Sequence, residues 1–319
     1  MPSTVGRPSL ARVRKLEIAG QLPADGCSLG QARQYTRWLG RSHYENFLVA
    51  TWLLPRRLHQ PFFNVYAYCR WADDLGDEVE DPAIALDLLN WWEEELDRAL
   101  EGRPRHPVFV ALAETIAEFQ LPAEPFRDLL RAFRQDQTKH RYADWDEVLD
   151  YCRYSANPVG RLVLALGGYR DEQRQRLSDA TCTALQLANF WQDVARDWKK
   201  GRLYIPLEKL AAFGLAESDI ASGRFDERYG RLMRDLVART QNLFEQGLPL
   251  AGTVRSELRI DIELFSRGGL AVLDAIEAAG YNTLESRPVI RRSTQMRLLG
   301  RALLGRWLGL GRGAGERAA

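Results

Sequence analysis

The sequence predicts an all-α protein with one helical domain, and two observations lead to that prediction. From residue 28 onward, apolar residues recur three and four positions apart, as along one face of an α-helix, without sustained period-two alternation. No internal repeat and no low-complexity linker divides the chain before residue 286. We therefore expect an N-terminal lead over residues 1–34, one domain over residues 35–286 and a tail over residues 287–319.

Capping residues predict where several helices begin and end. Asp81 is an N-cap followed by Pro82 at the first helical position, and Gly102 ends that helix. Residues 144–147 resemble a capping box, and the helix that they open is interrupted at 157–158, where Asn-Pro starts the next one. Longer periodic stretches predict helices over about 172–199, 226–247 and 257–279, and LYIP at 203–206 is the one strand-like fragment.

The overall composition excludes several classes of protein. The 319 residues include 44 basic and 43 acidic side chains, for a net charge of +1, and 45% of the residues are hydrophobic. These values exclude a disordered chain, collagen and a coiled-coil fibre. The near-zero net charge also argues against a nucleic-acid partner.

The cysteines and the N-terminus predict a cytoplasmic protein. The four cysteines are scattered and form neither a C-x-x-C pair nor, with a histidine, the spacing of zinc ligands. No apolar run of signal-peptide length lies in the basic N-terminus, and no uncharged stretch reaches the roughly 18 residues of a spanning helix. A reducing compartment is the simplest interpretation.

The neutral total conceals a basic C-terminus. Residues 287–319 carry eight arginines and one glutamate, a local charge of +7, which leaves −6 for the preceding part of the chain. In this tail Arg297, Arg301 and Arg306 accompany several leucines and Trp307 in a short amphipathic pattern. Such segments lie in anionic membrane interfaces, so we expect peripheral contact with the inner face of the cell membrane. A disordered basic tail without a lipid role is the alternative.

A first acidic cluster lies in CRWADDLGDEVED, within a helix predicted to begin near Asn64. Asp73 and Asp77 are four residues apart, which places both carboxylates on one face of the helix, one turn from each other. Like charges at this spacing cost an isolated helix a few tenths of a kcal/mol, about as much as an opposite pair contributes. A cation is therefore expected to face this pair.

A second acidic cluster, in LQLANFWQDVARDW, repeats the spacing with Asp193 and Asp197, and Asn189 and Gln186 extend the same stripe. Carboxylate and amide oxygens are the ligands that hard divalent cations such as Mg²⁺ prefer, commonly together with substrate phosphates. Two solvated acidic faces, neutralised by surface ion pairs with Arg70 and Arg196, are the alternative interpretation.

The two clusters belong to a longer series of motifs. In chain order these are HYENF (43–47), YCRWADDLGDE (68–78), DYCRYSANPVGRL (150–162), ANFWQDVARD (188–197), GRLYIP (201–206) and FSRGGLAVLDAIEAAGYN (265–282). The series resembles the trans-isoprenoid head-to-head synthases, the squalene and phytoene synthase family, over about residues 35–290. HYENF, SANPVGR and NFWQDVARDW resemble in particular its bacterial hopanoid-pathway branch, the hydroxysqualene synthases. The resemblance implies a single-domain isoprenoid-synthase helical bundle with a central cavity, and makes residues 35–286 the catalytic domain.

Position by position, the resemblance implies roles for the motif residues. The Mg²⁺ ions that bind a prenyl diphosphate would be held by Asp73, Asp77, Asn189, Asp193 and Asp197, with Asp74 in support. The diphosphate and the front of the pocket would be lined by His43, Arg70, Gln186, Arg202 and Tyr204, and the prenyl chain by Phe47, Tyr66, Tyr151 and Tyr281. The alternatives are a capping or core role for the histidine, and a core role with a satisfied hydroxyl for each tyrosine.

Two departures from the family pattern bear on the product. Gln192, at a substrate-binding position, stands where condensing relatives usually carry arginine, which suggests altered handling of the leaving diphosphate. Residues 155–158, Ser-Ala-Asn-Pro, replace a small apolar run and place polar groups near a pocket that is expected to be apolar. As a mechanistic hypothesis, Asn157 or Ser155 orients a water molecule there.

The resemblance implies an enzyme that ionises a prenyl diphosphate. Mg²⁺ and Arg70 would stabilise the leaving group, and aromatic faces such as that of Tyr151 would stabilise the carbocation by about 0.5–2 kcal/mol each. Capture of water would convert presqualene diphosphate to hydroxysqualene without NADPH, for which the chain shows no G-x-G-x-x-G turn. The alternatives are a synthase that condenses two prenyl diphosphates to presqualene diphosphate, squalene or phytoene and, more remotely, a non-catalytic prenyl-binding or assembly module.

Overall fold

The computed structural model describes residues 27–42 and 54–290, together with the isolated positions 294 and 300. Within these residues all regular secondary structure is helical, which confirms the all-α prediction. His43, Phe47 and the amphipathic part of the tail lie outside the described residues. No helix in the described part is long and apolar enough to cross a membrane.

The chain divides into two compact units at Thr138 and Lys139. The helices of the first unit are α1 (Leu29–Ser42), α2 (Arg56–Asp77), α3 (Pro82–Leu100), α4 (Pro107–Phe119) and α5 (Glu124–Gln135). Those of the second are α6 (Trp145–Ser155), α7 (Asn157–Leu166), α8 (Glu172–Lys199), α9 (Leu207–Ala212), α10 (Glu217–Ser222), α11 (Glu227–Gly247), α12 (Leu250–Thr253) and α13 (Ser256–Ala278).

Helix α2, which carries the first acidic cluster, packs against the other four helices of its unit. Asn64, fully buried, accepts hydrogen bonds at Oδ1 from Thr36 (2.7 Å) and Gln60 (2.8 Å), and donates from Nδ2 to the Ala111 carbonyl and Thr115, both at 2.9 Å. Each polar atom of this buried amide has a partner, so the hydrogen bonds specify one arrangement of the helices in addition to the hydrophobic packing. This network fixes the rotation of α2 about its axis.

An aromatic cluster lies beside the polar network in the first unit. Trp71 of α2 stacks on Trp92 of α3, with ring centroids 5.2 Å apart and planes inclined by 11°. His106, the N-cap of α4, presents its ring edge-on to both tryptophans and accepts a hydrogen bond at Nδ1 from the Val108 amide. Burial lowers the pKa of His106 to about 3, because the surrounding rings cannot solvate a charged imidazole.

Helix α8, which carries the second acidic cluster, is the centre of its unit and packs against α6, α7, α11 and α13. Trp191 donates from its indole nitrogen to the hydroxyl of Thr240 on α11 at 2.8 Å. The two helices approach closely at Gly247, where a Cβ atom would meet the Thr181 side chain and lie 3.0 Å from the Leu177 carbonyl oxygen. Glycine is required there because the approach of the two backbones leaves no room for a side chain.

Most predicted helix boundaries are confirmed. Asp81 accepts hydrogen bonds from the amides of Ala83 and Ile84 and caps α3, while Gly102 follows that helix with φ +77°. The predicted 172–199 helix has those bounds, and the Asn-Pro break separates α6 from α7. The helices predicted over 226–247 and 257–279 begin and end within one residue of their observed bounds.

Two local predictions are wrong. The acidic helix begins at Arg56 rather than near Asn64, and it contains Pro61. Burial of Leu58 and Phe62 in the added turns outweighs the hydrogen bond that the proline cannot donate. The LYIP fragment is an extended segment rather than a strand. The amides of Leu203, Leu207 and Glu208 donate to the carbonyls of His140, Tyr142 and Ala143 in the segment beside it, but no ladder of a sheet forms there.

All four cysteines are free thiols in the described structure: Cys27, Cys69, Cys152 and Cys182. Burial raises the pKa of Cys69 to about 12 and that of Cys182 to about 11, and it also raises the pKa of Cys152. These thiols therefore stay protonated near neutral pH.

Candidate active site

The first acidic face lies on the second half of α2. At 3.6 residues per turn, Tyr66, Arg70, Asp73 and Asp77 share one side of the helix. Asp73 is 45% exposed and Asp77 is exposed, so both carboxylates of the predicted metal pair can reach solvent. The hydroxyl oxygen of Tyr66 is buried. This face can present oxygen ligands to a cation from outside the helix.

Arg70 supplies the cation that the first acidic face was expected to need. Its guanidinium forms an ion pair with Asp74, whose side chain is 6% exposed, and lies 3.4 Å from Asp73 and 3.5 Å from Glu78. Although burial opposes the charged form, the carboxylates of Asp74 and Asp73 hold the pKa of Arg70 above its ordinary value. Asp74 therefore supports Arg70, while Asp73 and Asp77 remain the more accessible ligands.

The second acidic face runs along α8. Gln186, Asn189, Asp193 and Asp197 follow one another at intervals of three, four and four residues, which keeps them on one side of the helix. Asn189 is exposed, and the Asp193 side chain is 22% exposed. The carbonyl of Asp197 accepts a hydrogen bond from the Arg202 amide at 2.8 Å, so Arg202 is attached to the end of this face.

A contact absent from the sequence prediction lies at the centre of the second face. Arg287 donates from Nε and Nη2 to the two carboxylate oxygens of Asp193, at 2.6 and 2.9 Å. It also donates from Nη2 to Oε1 of Gln192 at 2.7 Å. Gln192 is buried, and it is thus contacted by an arginine from the C-terminal segment at the position where condensing relatives usually carry arginine themselves.

A second aromatic cluster, distinct from that of Trp71 and Trp92 and called the aromatic cluster from here on, lies next to the second acidic face. Phe190 and Tyr204 stack with ring centroids 3.7 Å apart and planes inclined by 3°, and Tyr151 and Tyr142 each lie within 5.6 Å of Tyr204. All four rings are less than a tenth exposed. The structure therefore brings the predicted residues Tyr151 and Tyr204 together. Tyr142 and Phe190 were missed as members because single aromatic residues in a helical pattern are usually core residues.

The break between α6 and α7 places polar groups near the aromatic cluster. Asn157 is 7% exposed, and its Oδ1 accepts a hydrogen bond from Thr183 of α8 at 2.9 Å. The hydroxyl oxygen of Ser155 is buried and has no hydrogen-bond partner among the described residues. Ser155 follows Tyr151 by four residues, so both project from the same side of α6. Of the two polar candidates, Ser155 has the uncommitted hydroxyl.

Tyr281 is the remaining aromatic candidate within the described residues. It is in the turn that follows α13, with φ +64°, and the guanidinium of Arg234 lies 5.0 Å from its ring centroid. A tyrosine at positive φ is rare and costs on the order of 1–3 kcal/mol, so the surrounding structure must hold it in place. Its predicted contact with a prenyl chain stays a prediction, as do that of Phe47 and the predicted place of His43 at the diphosphate and the front of the pocket.

The two acidic faces supply oxygen donors of the kind that a divalent metal ion requires. Within the described residues, no three His, Cys, Asp or Glu side chains form a group that could hold a metal by themselves. Each acidic face supplies a pair of carboxylates, and Asn189 adds an amide oxygen to the second face. Mg²⁺ is commonly held by one or two carboxylates together with substrate phosphates, so these donors fit a cation that shares its coordination with diphosphate.

Comparison with known sequences identifies one family. The profile of the family described as squalene/phytoene synthase matches residues 41–294. A phytoene synthase from Arthrospira platensis is 31% identical over 271 residues, which cover 80% of this chain and 86% of the relative. A hydroxysqualene synthase from Rhodopseudomonas palustris is 37% identical over 228 residues, which cover 70% of this chain and 76% of the relative.

Comparison with solved structures agrees with the sequence profile. The squalene synthase HpnC from Alicyclobacillus acidocaldarius has a TM-score of 0.76 at 48% identity, covering 80% of this chain and 96% of that one. A dehydrosqualene synthase in complex with a ligand also has a TM-score of 0.76, at 24% identity, covering 88% of this chain and 98% of that one. The second likeness shows the fold alone, and together they confirm the predicted isoprenoid-synthase helical fold.

Proposed function

The chain belongs to the squalene/phytoene synthase family, and from this premise we propose that it is a hydroxysqualene synthase. Presqualene diphosphate and water would give hydroxysqualene and diphosphate. The carbon–oxygen bond to the diphosphate breaks, and its electron pair leaves with the diphosphate. After rearrangement of the carbocation, water forms the new carbon–oxygen bond and releases one proton. No electron donor is needed, and NADPH is not expected as a cofactor.

Departure of the diphosphate is assigned to the two acidic faces. Bound divalent cations, with Mg²⁺ as the expected ion, would neutralise the charge that develops on the leaving group. Asp73 and Asp77 on one face, and Asn189, Asp193 and Asp197 on the other, supply oxygen ligands for them. The Arg70 side chain is a quarter exposed and lies beside Asp73, so its guanidinium can also donate hydrogen bonds to the leaving diphosphate.

The carbocation is assigned to the aromatic cluster of Tyr142, Tyr151, Phe190 and Tyr204. A ring face attracts a cation by about 0.5–2 kcal/mol, and more when water is excluded. The parallel stack of Phe190 on Tyr204 leaves each ring one outward face, and Tyr151 adds a third ring at 5.6 Å from Tyr204. The low exposure of these rings keeps bulk water from quenching the cation early.

The observation that carries the choice of product is the polar break between α6 and α7, beside this aromatic cluster. A hydrocarbon product requires a pocket without an ordered water, whereas an alcohol requires one water at a defined place. The buried hydroxyl of Ser155 lies one turn beyond Tyr151 and can hold that water, while Thr183 already donates to Asn157. The 37% identity with a hydroxysqualene synthase supports the same choice.

The experiment is incubation of the full chain with presqualene diphosphate and Mg²⁺ in ¹⁸O-labelled water without NADPH. We expect a C30 alcohol that carries the label, and we expect farnesyl diphosphate alone to be a poor substrate. Ser155→Ala should divert product from alcohol to eliminated hydrocarbon, whereas Ser222→Ala, at an exposed serine, is the matched control. An unlabelled product, or squalene formed only with NADPH, would contradict the proposal.

A condensing synthase is the second candidate, because phytoene synthases are among the relatives, one of them 31% identical. Such an enzyme would join two farnesyl or geranylgeranyl diphosphates and release diphosphate at the first step. Product analysis by mass spectrometry with each diphosphate separates this function from the first. A non-catalytic prenyl-binding module would release no diphosphate with any of these substrates.

We also propose that the basic tail contacts the inner face of the cell membrane, which suits a C30 substrate and product. The test is flotation of the full chain with vesicles that contain anionic lipid, against a chain that ends at Ile290. Ending there keeps Arg287 and Pro288, which contact α8. Equal flotation of the two chains would rule out the tail as a membrane contact.

A further inference from the structure

The segment that follows α13 returns to α8 and is held there by one buried side chain. Gln192, 5% exposed, uses both ends of its amide for this contact. Its Nε2 donates to the carbonyl oxygen of Pro288 at 2.6 Å, and its Oε1 accepts from Arg287 at 2.7 Å. The amide therefore holds the backbone and the guanidinium of the segment at the same time.

This contact has a direct effect on Asp193. Both carboxylate oxygens of Asp193 accept hydrogen bonds from Arg287, at 2.6 and 2.9 Å, in a bidentate ion pair. Arg196, by contrast, lies 3.5 Å from one of these oxygens and is 65% exposed. A divalent cation that approaches Asp193 must therefore displace a positioned guanidinium, while Arg196 can turn away into solvent.

We propose that Gln192 is a positioning residue that holds Arg287 on Asp193 as a resident counter-cation, so that the second acidic face accepts a divalent cation only together with diphosphate. This inference rests on the metal chemistry of the proposed function. A cation that binds alone displaces Arg287 from the carboxylate of Asp193 and lies next to its like charge. A cation that arrives with diphosphate brings an anion to which the released guanidinium can donate two hydrogen bonds. Cation and diphosphate then bind cooperatively, and premature loading of the site is suppressed.

The test measures binding of Mn²⁺, a paramagnetic substitute for Mg²⁺, to the full chain by electron paramagnetic resonance, with no prenyl substrate present. Titrations are made with and without inorganic diphosphate. Complexation of Mn²⁺ by diphosphate in solution is the same for every variant and cancels in the comparison. Asp193→Asn reports the Mn²⁺ that binds at all other positions.

Arg287→Gln should bind Mn²⁺ alone more tightly than the unaltered chain, by roughly the 5- to 150-fold of a typical coupling between two ligands. In this variant, the increase in Mn²⁺ affinity that diphosphate causes should be smaller by the same factor, because the coupling between the two ligands is reciprocal. Gln192→Leu, which keeps the volume and removes both hydrogen bonds, should shift affinity in the same direction. Arg196→Gln is the matched control, since it removes an equal charge near the same carboxylate and should leave affinity within about twofold, as for an exposed ion pair.

A second readout follows the segment itself. Hydrogen exchange at the amides of residues 285–287, 289 and 290 should be slower in the unaltered chain alone than when Mn²⁺ and diphosphate are both present. In Gln192→Leu it should be fast under both conditions. Circular dichroism shows that each variant keeps its helices, and Arg287→Lys, which keeps the charge without the bidentate geometry, should lie between Arg287→Gln and the unaltered chain.

Three results would overturn the inference. If Arg287→Gln binds Mn²⁺ no more tightly than the unaltered chain, Arg287 does not act as a resident counter-cation. Equal effects of Arg287→Gln and Arg196→Gln would show a plain charge effect without positioning by Gln192. If no chain binds Mn²⁺ at Asp193 even with diphosphate, the metal chemistry of the proposed function fails as well, whereas in the first two results it stands.

Discussion

The two acidic helices carry the same spacing of aspartates but neutralise it in different ways. On α2 the cation is Arg70, three and four residues before Asp73 and Asp74 on the same helix. On α8 it is Arg287, which lies 94 residues along the chain from Asp193. The first arrangement forms wherever the helix forms, whereas the second requires the unit to fold around α8. The same spacing of aspartates can thus be neutralised by an arginine of the same helix or by one that is distant along the chain.

The largest effect is expected from removing one carboxylate of each pair. Asp73→Asn and Asp193→Asn keep the side-chain volume and remove the charge that would hold a cation at the leaving diphosphate. Each should lower diphosphate release on the order of 10²–10³-fold, comparable with the loss of one preorganised electrostatic group. Release is measured with a coupled phosphate assay, and circular dichroism controls for the fold. If either variant releases diphosphate at a near-normal rate, the aspartate of that helix is not a ligand of the metal.

Stability should distinguish the two arrangements. Arg70→Gln leaves the carboxylate of Asp74 buried beside a neutral side chain, and should lower the free energy of unfolding by about 1–3 kcal/mol. Arg287→Gln should cost less than about 1 kcal/mol, because Asp193 is exposed enough to regain water. Urea unfolding measures both, with Arg103→Gln in the exposed pair with Glu101 as the control. Equal losses of unfolding free energy in Arg70→Gln and Arg287→Gln would show that the local pair and the tertiary pair do not differ in stability.

A separate effect, on the pH dependence of stability, is expected from His106, whose ring contacts Trp71 of the α2 helix. Its pKa is about 3 in the folded protein and about 6.5 in the unfolded chain. Between these values only the unfolded chain takes up the proton, so stability falls as the pH drops from 6.5 toward 3, by at most about 1.4 kcal/mol per pH unit. His106→Asn keeps a cap acceptor and cannot titrate. Its free energy of unfolding should therefore depend less on pH, and an unchanged slope would show that His106 is not the titrating group.

Local signals in the sequence account for most of the fold. The caps at Asp81 and Asp144 are visible because a short polar side chain before an apolar period satisfies the first free amides of a helix. The start of α2 was mispredicted because Pro61 is locally unfavourable, and only packing of the preceding turn overrides it. Tertiary packing of this kind leaves no mark on the periodicity of the sequence.

The candidate site divides in the same way. The carboxylate pairs and Arg70 could be predicted, since i, i+3 and i, i+4 neighbours meet on any helix. The contact of Gln192 with Arg287 and Pro288 could not, because it joins segments almost a hundred residues apart. The substitution at Gln192 was the only signal. A missing charge beside Asp193 indicates that another part of the chain supplies one, although not which part.

The thiols on these helices differ in exposure: Cys152 on α6 is fully buried, whereas Cys69 on α2 and Cys182 on α8 are partly exposed. The raised pKa of each thiol keeps its sulfur protonated and slow to react near neutral pH. Alkylation of Cys152 also requires the helices around it to open. The rates of labelling at Cys152 and Cys182, followed by mass spectrometry in one sample, would therefore separate opening around α6 from the reactivity of a thiol that is already accessible in the same unit.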